Sequence, residues 1–438
     1  MARVSILGGV AEIGGNKILV EDKDTRILLD FGMSISQRAR FFSDPYVSPR
    51  RPESLLSLGI IPRVEGVYGW EKESKVDAIF LSHAHLDHYG YLSMVNRGIP
   101  VHCGETTALM MKAITDTKRG SFETDYKGLA FKKFRSGAVV KVGGITVKPV
   151  HVDHSVPGAY GLIVETSSGT LVYTGDLRAH GRASNLTKDF QREASASGAS
   201  LLLTEATNVV DGVVSSEEEV ESKLARVIRE AKGLVMASFS GVDTDRLTSF
   251  HRAAKEAGRT LAVSTRQAYL LSLLEGDPNL DIPRLAVGSM AVYRRSKKRY
   301  EQWEDQVSDK ATIVTADDLA ANPKRYVLGT TLSDMEGMLD IRPPPGSVYV
   351  LSSSEPFNEE MELDMQRLIG WLDFYGMPLY HIHVSGHIMP QELRRLVGEI
   401  DAKRVAPIHT EHPELFAKFA VEKPGSAIIP QKGDWIEV

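Results

Sequence analysis

The sequence has 438 residues, 42% hydrophobic and 25% charged, with a formal net charge of −5. This is the make-up of a globular chain too long for one small domain, and the negative charge excludes a uniformly cationic nucleic-acid binder. No apolar run is long enough for a membrane span, and a single cysteine, Cys103, excludes a disulfide framework and points to the reducing cytoplasm.

Residues 3–8 read as a first strand, without the layout of a signal peptide. Further strand-like segments follow at 17–21, 26–29, 78–82, 144–152, 159–165 and 170–174, separated by Gly-rich turns. Cys103, after a strand-like 99–102, reads as a small buried apolar residue. From about residue 200 the texture changes. Short apolar strands at 201–204, 234–237, 260–263 and 326–328 alternate with helical stretches at 217–232 and 243–257, which predicts βαβ units on a parallel sheet. After Asp364 the pattern returns to a helix, a strand at 378–384 and more histidines. A metal-binding sandwich interrupted by an inserted parallel-sheet domain accounts for that order.

The informative run is Ser82-His83-Ala84-His85-Leu86-Asp87-His88. It follows an apolar stretch at 76–81 and precedes a helical pattern at 89–95, so three imidazoles and a carboxylate share one strand-to-helix turn. Imidazole and carboxylate are N/O donors suited to zinc, manganese or iron rather than to a thiolate site. His154 and Asp176 fall where two later strands should end, and a carboxylate at such a position can bridge two ions. Downstream, His381, His383, His387, His409 and His412 are five of the 13 histidines. His387 closes Ser385-Gly386-His387, a hydroxyl, a close-approach backbone and an imidazole suited to a phosphate oxygen. His409 follows another apolar strand; His381 and His383 alternate along one strand and read as packed, and His151 and His180 lean the same way.

In this order the residues carry a resemblance. Asp30 in Leu28-Leu29-Asp30-Phe31-Gly32, the His83–His88 run, His154 and Asp176 resemble the four motifs of the metallo-β-lactamase fold. Glu205 in Leu203-Thr204-Glu205-Ala206-Thr207, His387 and His409 are similar to motifs A, B and C of its β-CASP branch. The Gly8–Asn16 loop, Ser352-Ser353-Ser354-Glu355-Pro356 with Asn358-Glu359, and Ser385-Gly386-His387 resemble ribonuclease J, above all its short archaeal type. The chain departs from that family at Thr410-Glu411, where a Gly-Glu is usual, at 330–337 and at 178–182; bacterial members carry a further C-terminal domain, whereas this sequence ends at Val438.

The resemblance implies an α/β fold, a metallo-β-lactamase αββα sandwich over 1–205 and 365–438, with a parallel-sheet β-CASP domain over 206–364. It implies two divalent metal ions, zinc with manganese as the alternative. His83, His85 and His154 would hold one, Asp87, His88 and His409 the other, and Asp176 would bridge. Asp30 would brace the ligand loop; Asp87, Glu205 and His387 would act in catalysis, His387 on the phosphate. Ser353, Ser354, Ser385 and Gly386 would receive a 5′-terminal phosphate. The implied activity is metal-assisted hydrolysis of single-stranded RNA from the 5′ end, with endonucleolytic cuts alongside, in the cytoplasm and without a membrane partner; a homodimer is left open. A histidine at motif C marks the RNA-cleaving members, so His409 favours RNA. A hydrolase of a small ester or of DNA on the same fold, and a non-catalytic RNA-binding subunit, are the alternatives.

Basic runs at Arg38/Arg40, Arg50/Arg51, Lys132/Lys133/Arg135 and Tyr293–Tyr300 stand outside that scheme. Each is either a solvated face or a phosphate-tracking stripe, the last with flanking tyrosines in a helical stretch.

Overall fold

The computed structural model describes the chain except residues 45, 119, 211, 213–214, 286–287, 289, 356–358 and 424, so Pro356 and Asn358 of the serine-run motif lie outside the described residues. Two compact units form: Met1–Ala179, Ala183–Val214 and Gly386–Val438 make the first, His180–Arg182 and Ser215–Ser385 the second. Residues 206–214 therefore fall with the first unit and 365–385 with the second.

The first unit is two facing sheets. In one, β1 (Arg3–Gly8), β2 (Lys17–Asp22) and β3 (Thr25–Phe31) run antiparallel, and β4 (Ala78–Leu81), β5 (Val101–Gly104) and β6 (Phe131–Phe134) continue parallel to β3. Strand Trp435–Glu437 pairs antiparallel with β1 at the other edge. In the second sheet β7 (Val140–Val142), β8 (Ile145–Val152), β9 (Ala159–Glu165) and β10 (Thr170–Tyr173) are antiparallel, then β11 (Leu201–Glu205) and strand Arg404–Ile408 run parallel to β10.

Strand period decides what faces what. Val4, Ile6, Ile18, Val20, Ile27, Leu29, Ala78 and Phe80 meet Leu162, Val164, Leu171, Tyr173, Leu201 and Leu203 between the sheets. The alternate residues Leu19, Leu28, Phe31, Ile79 and Leu81 pack outward with the segments 55–68 and 89–95, and Val172, Leu202 and Val405 pack outward with helices Ser184–Ala196, Pro390–Ile400 and Pro413–Phe419. Strands buried on both faces read as unbroken apolar runs, as β4 does. This is the expected αββα sandwich.

The second unit carries a seven-stranded, all-parallel sheet. Its strands are β12 (Val235–Ser238), β13 (Thr260–Ser264), β14 (Met290–Tyr293), β15 (Thr312–Val314), β16 (Tyr326–Thr330), β17 (Val348–Leu351) and β18 (Leu379–His381), in the spatial order β15-β14-β13-β16-β12-β17-β18. It is the inserted parallel-sheet domain the alternation implied. One reading needs correction: residues 294–300 are not helical. β14 ends at Tyr293, and the cations beyond it are pinned individually, Arg294 to Asp305 at 2.6 Å, Arg295 to Asp334 at 2.9 Å and Lys297 to Glu304. Like charges three and four apart on a helix would repel. Cys103 is buried as expected, and burial pushes its thiol up to about 12.

Candidate metal centre

Each ligand-type residue sits at or just past the carboxyl end of a strand in the first unit. β4 ends at Leu81; His83 and His85 follow, and one helical turn, Leu86–Tyr89, carries Asp87 and His88. His154 follows β8, Asp176 follows β10, Glu205 ends β11, and His409 comes directly after Arg404–Ile408. Two glycines let the backbone close around the turn. A Cβ on Gly32 would lie 1.6 Å from the Asp87 carbonyl oxygen, and one on Gly14, at φ 78°, 2.5 Å from Asp87 Oδ2.

Two donor sets result: His83, His85, His154 and Asp176, and Asp87, His88, His409 and the same Asp176. Within each set the ligand atoms lie within 4.8 Å of one another. In the first, His85 Nδ1 is 3.1 Å from His83 Nε2 and 3.0 Å from His154 Nε2, and His83 Nε2 is 3.7 Å from Asp176 Oδ2. In the second, Asp176 Oδ2 is 3.1 Å from His88 Nε2 and 3.4 Å from His409 Nε2, which is 3.0 Å from Asp87 Oδ2.

The tautomers follow from the partners. His154 Nδ1 donates to the Gly386 carbonyl at 2.6 Å, which leaves the lone pair on Nε2. His88 Nδ1 donates to Asp30 Oδ2 at 2.8 Å. Ser82 Oγ donates to Asp30 Oδ2 at 2.7 Å and so accepts from His83 Nδ1 at 3.0 Å, leaving His83 Nε2 bare as well. Burial pushes the His85 imidazole down to about 4, and His83 and His154 well below their ordinary value. His85 Nδ1 can donate to only one of the two bare Nε2 atoms about 3 Å away, whereas a cation at the point they face would satisfy all three. Asp176 Oδ1 is buried without a hydrogen-bond partner, an uncompensated acceptor that a cation would satisfy. The residues present fit a pair of divalent ions bound by nitrogen and oxygen.

Around the two sets the supports are buried. Asp30, at φ 57°, accepts from Ser82 N–H and Ser82 Oγ at 2.7 Å each and from Tyr173 OH at 2.5 Å, besides His88. Glu205 Oε1 accepts from Ile388 N at 3.2 Å and Leu177 N at 3.3 Å and lies 3.2 Å from His387 Nδ1. Burial alone would lower His387, but the Glu205 carboxylate outweighs it and holds the imidazole up at about 9. His387 Nδ1 stands 3.9 Å from Asp176 Oδ2.

The sequence reading missed Thr207, whose Oγ1 is 2.8 Å from His409 Nδ1 and 3.2 Å from His387 Nδ1. It also missed Ser82, Tyr173 and Asn16, whose N–H donates to the Asp87 carbonyl at 3.0 Å and whose side-chain amide donates to Tyr173 OH at 3.1 Å. All four lie inside or beside segments already singled out, but nothing in a hydroxyl or amide residue alone marks it as a brace.

In the second unit the Ser353 carbonyl accepts from His381 Nε2 and the Ser385 carbonyl from His180 Nε2, both at 2.8 Å, while Ser354 is exposed. His383 Nδ1 lies 3.1 Å from Nη1 of Arg246, whose buried guanidinium also bonds Glu217, Ser352 and the Val384 carbonyl. His383 is packed against Arg246, as read from the sequence, whereas His381 is exposed, its ring tied to the Ser353 carbonyl at the end of β18.

Residues 62–211 match the family described as beta-lactamase superfamily domain. The chain is 27% identical over 427 residues to "Ribonuclease J" of Thermus thermophilus, covering 92% of this chain and 67% of that protein. It is 27% identical to "Ribonuclease J" of Sinorhizobium meliloti (79% and 60%) and 24% identical to that of Mycoplasma genitalium (93% and 68%). The chain thus spans about three fifths to two thirds of these relatives' length. A solved structure titled as a protein of unknown function from Enterococcus faecalis superposes with a TM-score of 0.78 at 22% identity over the whole of both chains, a likeness of fold.

The fold and the match over residues 62–211 are those of a beta-lactamase superfamily domain, and the two donor sets lie at its strand ends. Over most of its length the chain is similar to the ribonuclease J proteins of these three organisms, at 24–27% identity. No helix among the described residues is long and apolar enough to cross a membrane.

Proposed function

We propose that this protein is a cytoplasmic, metal-dependent ribonuclease that hydrolyses phosphodiester bonds of single-stranded RNA. It acts as a 5′-to-3′ exonuclease releasing nucleoside monophosphates, with endonucleolytic cuts in unstacked regions. The observation that carries the reading is the second donor set, completed by His409 around the shared Asp176. His83, His85 and His154 would hold one ion and Asp87, His88 and His409 the other, zinc or manganese, with Asp176 between them. Two such ions supply Lewis acidity, lowering the pKa of water and neutralising phosphoryl charge.

The chain's own residues do the rest. Gly386, Asp30 and Ser82 fix three imidazoles in ligand tautomers, so no reorganisation is needed when substrate arrives. Glu205, 3.2 Å from His387 Nδ1, favours the imidazolium, which can neutralise charge growing on a phosphoryl oxygen and hand a proton to the leaving oxygen. Ser353, Ser354 and Ser385 receive the 5′-terminal phosphate, which sets the direction.

The test is digestion of 5′-monophosphorylated RNA labelled at each end in turn, with zinc and with manganese. Mononucleotides from the 5′ end, made faster from monophosphorylated than from triphosphorylated or hydroxyl ends, are expected. Equal rates on all three ends would refute the directional claim. No RNA cleavage with two ions bound would refute the ribonuclease reading and favour a small-ester hydrolase or a binding subunit.

A further inference from the structure

The basic residues at 38–51 found no place in the metal chemistry, yet they lie on a tether of fixed length from it. Directly after β3, Met33 N–H donates to the Leu86 carbonyl at 3.1 Å and Gly32 lies against the Asp87 carbonyl, so the chain leaves from the ligand turn itself. A short helix, Ile35–Ala39, follows, and Ser43 and Val47 close a turn with reciprocal backbone bonds of 2.9 Å.

What this segment shows to solvent is unusual for a soluble surface. Phe41 is 43% exposed and Tyr46 88%, with Ile35 and Val47 exposed beside them in sequence. Single exposed apolar residues are ordinary; four within thirteen positions are not. The Arg40 guanidinium lies 5.8 Å from the Phe41 ring centre. Arg38 is neutralised by Glu123 at 2.9 Å and Asp44 at 2.8 Å, but Arg40, Arg50 and Arg51 are exposed and pair with no acid among the described residues. Asp44 is already engaged by Arg38 and Ser48. Aromatic rings interleaved with unpaired guanidinium groups match one class of partner, a flexible polyanion whose bases have flat faces.

We propose that residues 35–44 and 46–51 form a stacking and phosphate-binding platform for single-stranded RNA, in which Phe41 and Tyr46 take bases and Arg40, Arg50 and Arg51 take phosphates. It rests on the ribonuclease reading. Two extended steps and six helical ones separate Met33 from Phe41, so the first ring lies within ~16 Å of the ligand turn, about five stacked nucleotides at ~3.4 Å each. A long substrate should therefore feel the platform and a dinucleotide should not.

The experiment compares a 5′-monophosphorylated 12-mer of uridylate with the dinucleotide pUpU on the metal-loaded full chain. The variants are Phe41→Ala/Tyr46→Ala, Arg40→Gln/Arg50→Gln/Arg51→Gln and the matching triple Arg→Lys. The aromatic pair should raise KM for the 12-mer about tenfold or more. The glutamine triple should raise it similarly and flatten its salt dependence by about two in log–log slope, with lysine restoring the slope. Rates and KM on pUpU should stay at the wild-type level throughout. A 12-mer KM within twofold of wild type in both the alanine pair and the glutamine triple overturns the proposal, and so does equal loss on pUpU, which would mark a disturbed ligand turn. A change in oligomeric state with unchanged KM also overturns it, in favour of a protein interface. If the wild type cleaves neither RNA, the ribonuclease reading itself has failed.

Discussion

Asp30 offers the sharpest test of how the metal centre is held. It accepts from four buried donors, two on Ser82, one on His88 and one on Tyr173, and its backbone is left-handed. Asp30→Ala would strand Ser82 N–H, Ser82 Oγ and Tyr173 OH, each at about 1–3 kcal/mol, and would cost about 1 kcal/mol more for the backbone. A loss of order 5 kcal/mol rivals the whole stability of a domain, so that variant reports on folding alone. Asp30→Asn is informative, because Asn tolerates the left-handed backbone and keeps one acceptor, while the charge goes and an amide N–H turns on His88 or Tyr173. Its stability should fall by about 1.5–3 kcal/mol, the worth of hydrogen bonds to a charged group. Affinity for the ion held by Asp87, His88, His409 and Asp176 should fall about 10–100-fold. Competition against a chromophoric chelator reads affinity and stoichiometry, and urea unfolding of the stripped protein reads stability. Two ions held with wild-type affinity in Asp30→Asn would refute the argument that this carboxylate orients His88.

Other outcomes follow from the same geometry. Thr207→Val removes the hydroxyl against His409 Nδ1, so the second ion should weaken about tenfold or more while the first is unchanged, as a two-site titration would show. His387→Ala should keep two ions by elemental analysis yet lose about 10²–10³-fold in turnover; a collapse of metal content would mean the residue is a ligand. Burial first, then Arg246, hold the His383 imidazole down to about 3. A folded value below the unfolded one means stability is present above pH ~6.5 and lost as the pH falls towards 3. Between pH 7 and 5 the wild type should lose about 1–2 kcal/mol that His383→Gln does not, read as the shift in urea midpoint.

How much was legible in the sequence differs by kind of residue. The candidate ligands were visible because imidazole and carboxylate are scarce and cluster only when something gathers them, as in His83 to His88. The sandwich was visible because strands buried on both faces write unbroken apolar runs, as at 78–81. The supports were not. Thr207 and Tyr173 do their work through one hydroxyl aimed by the fold, and threonine or tyrosine at a strand end is commonplace. The basic run after Tyr293 misled because charge pattern suggests a helix as readily as an irregular loop, and only distant acids such as Asp334 decide it.

The order of the chain gives the centre a history. His83, His85, His154 and Asp176 all emerge from the ribosome before the long run of the second unit, Ser215–Ser385, whereas His409 comes only after it. At ~5–20 residues per second the intervening segment takes roughly 10–35 s to make. Through that interval β1 and β11 are sheet edges awaiting Trp435–Glu437 and Arg404–Ile408, edges of the kind prone to wrong pairing. A nascent chain halted at residue 395, which includes the Gly386 carbonyl but not His409, should thus capture one ion in a chelator assay where the full chain captures two. The first donor set is an early product of synthesis and the second a late one, so Asp176, common to both, is in place well before His409 is made.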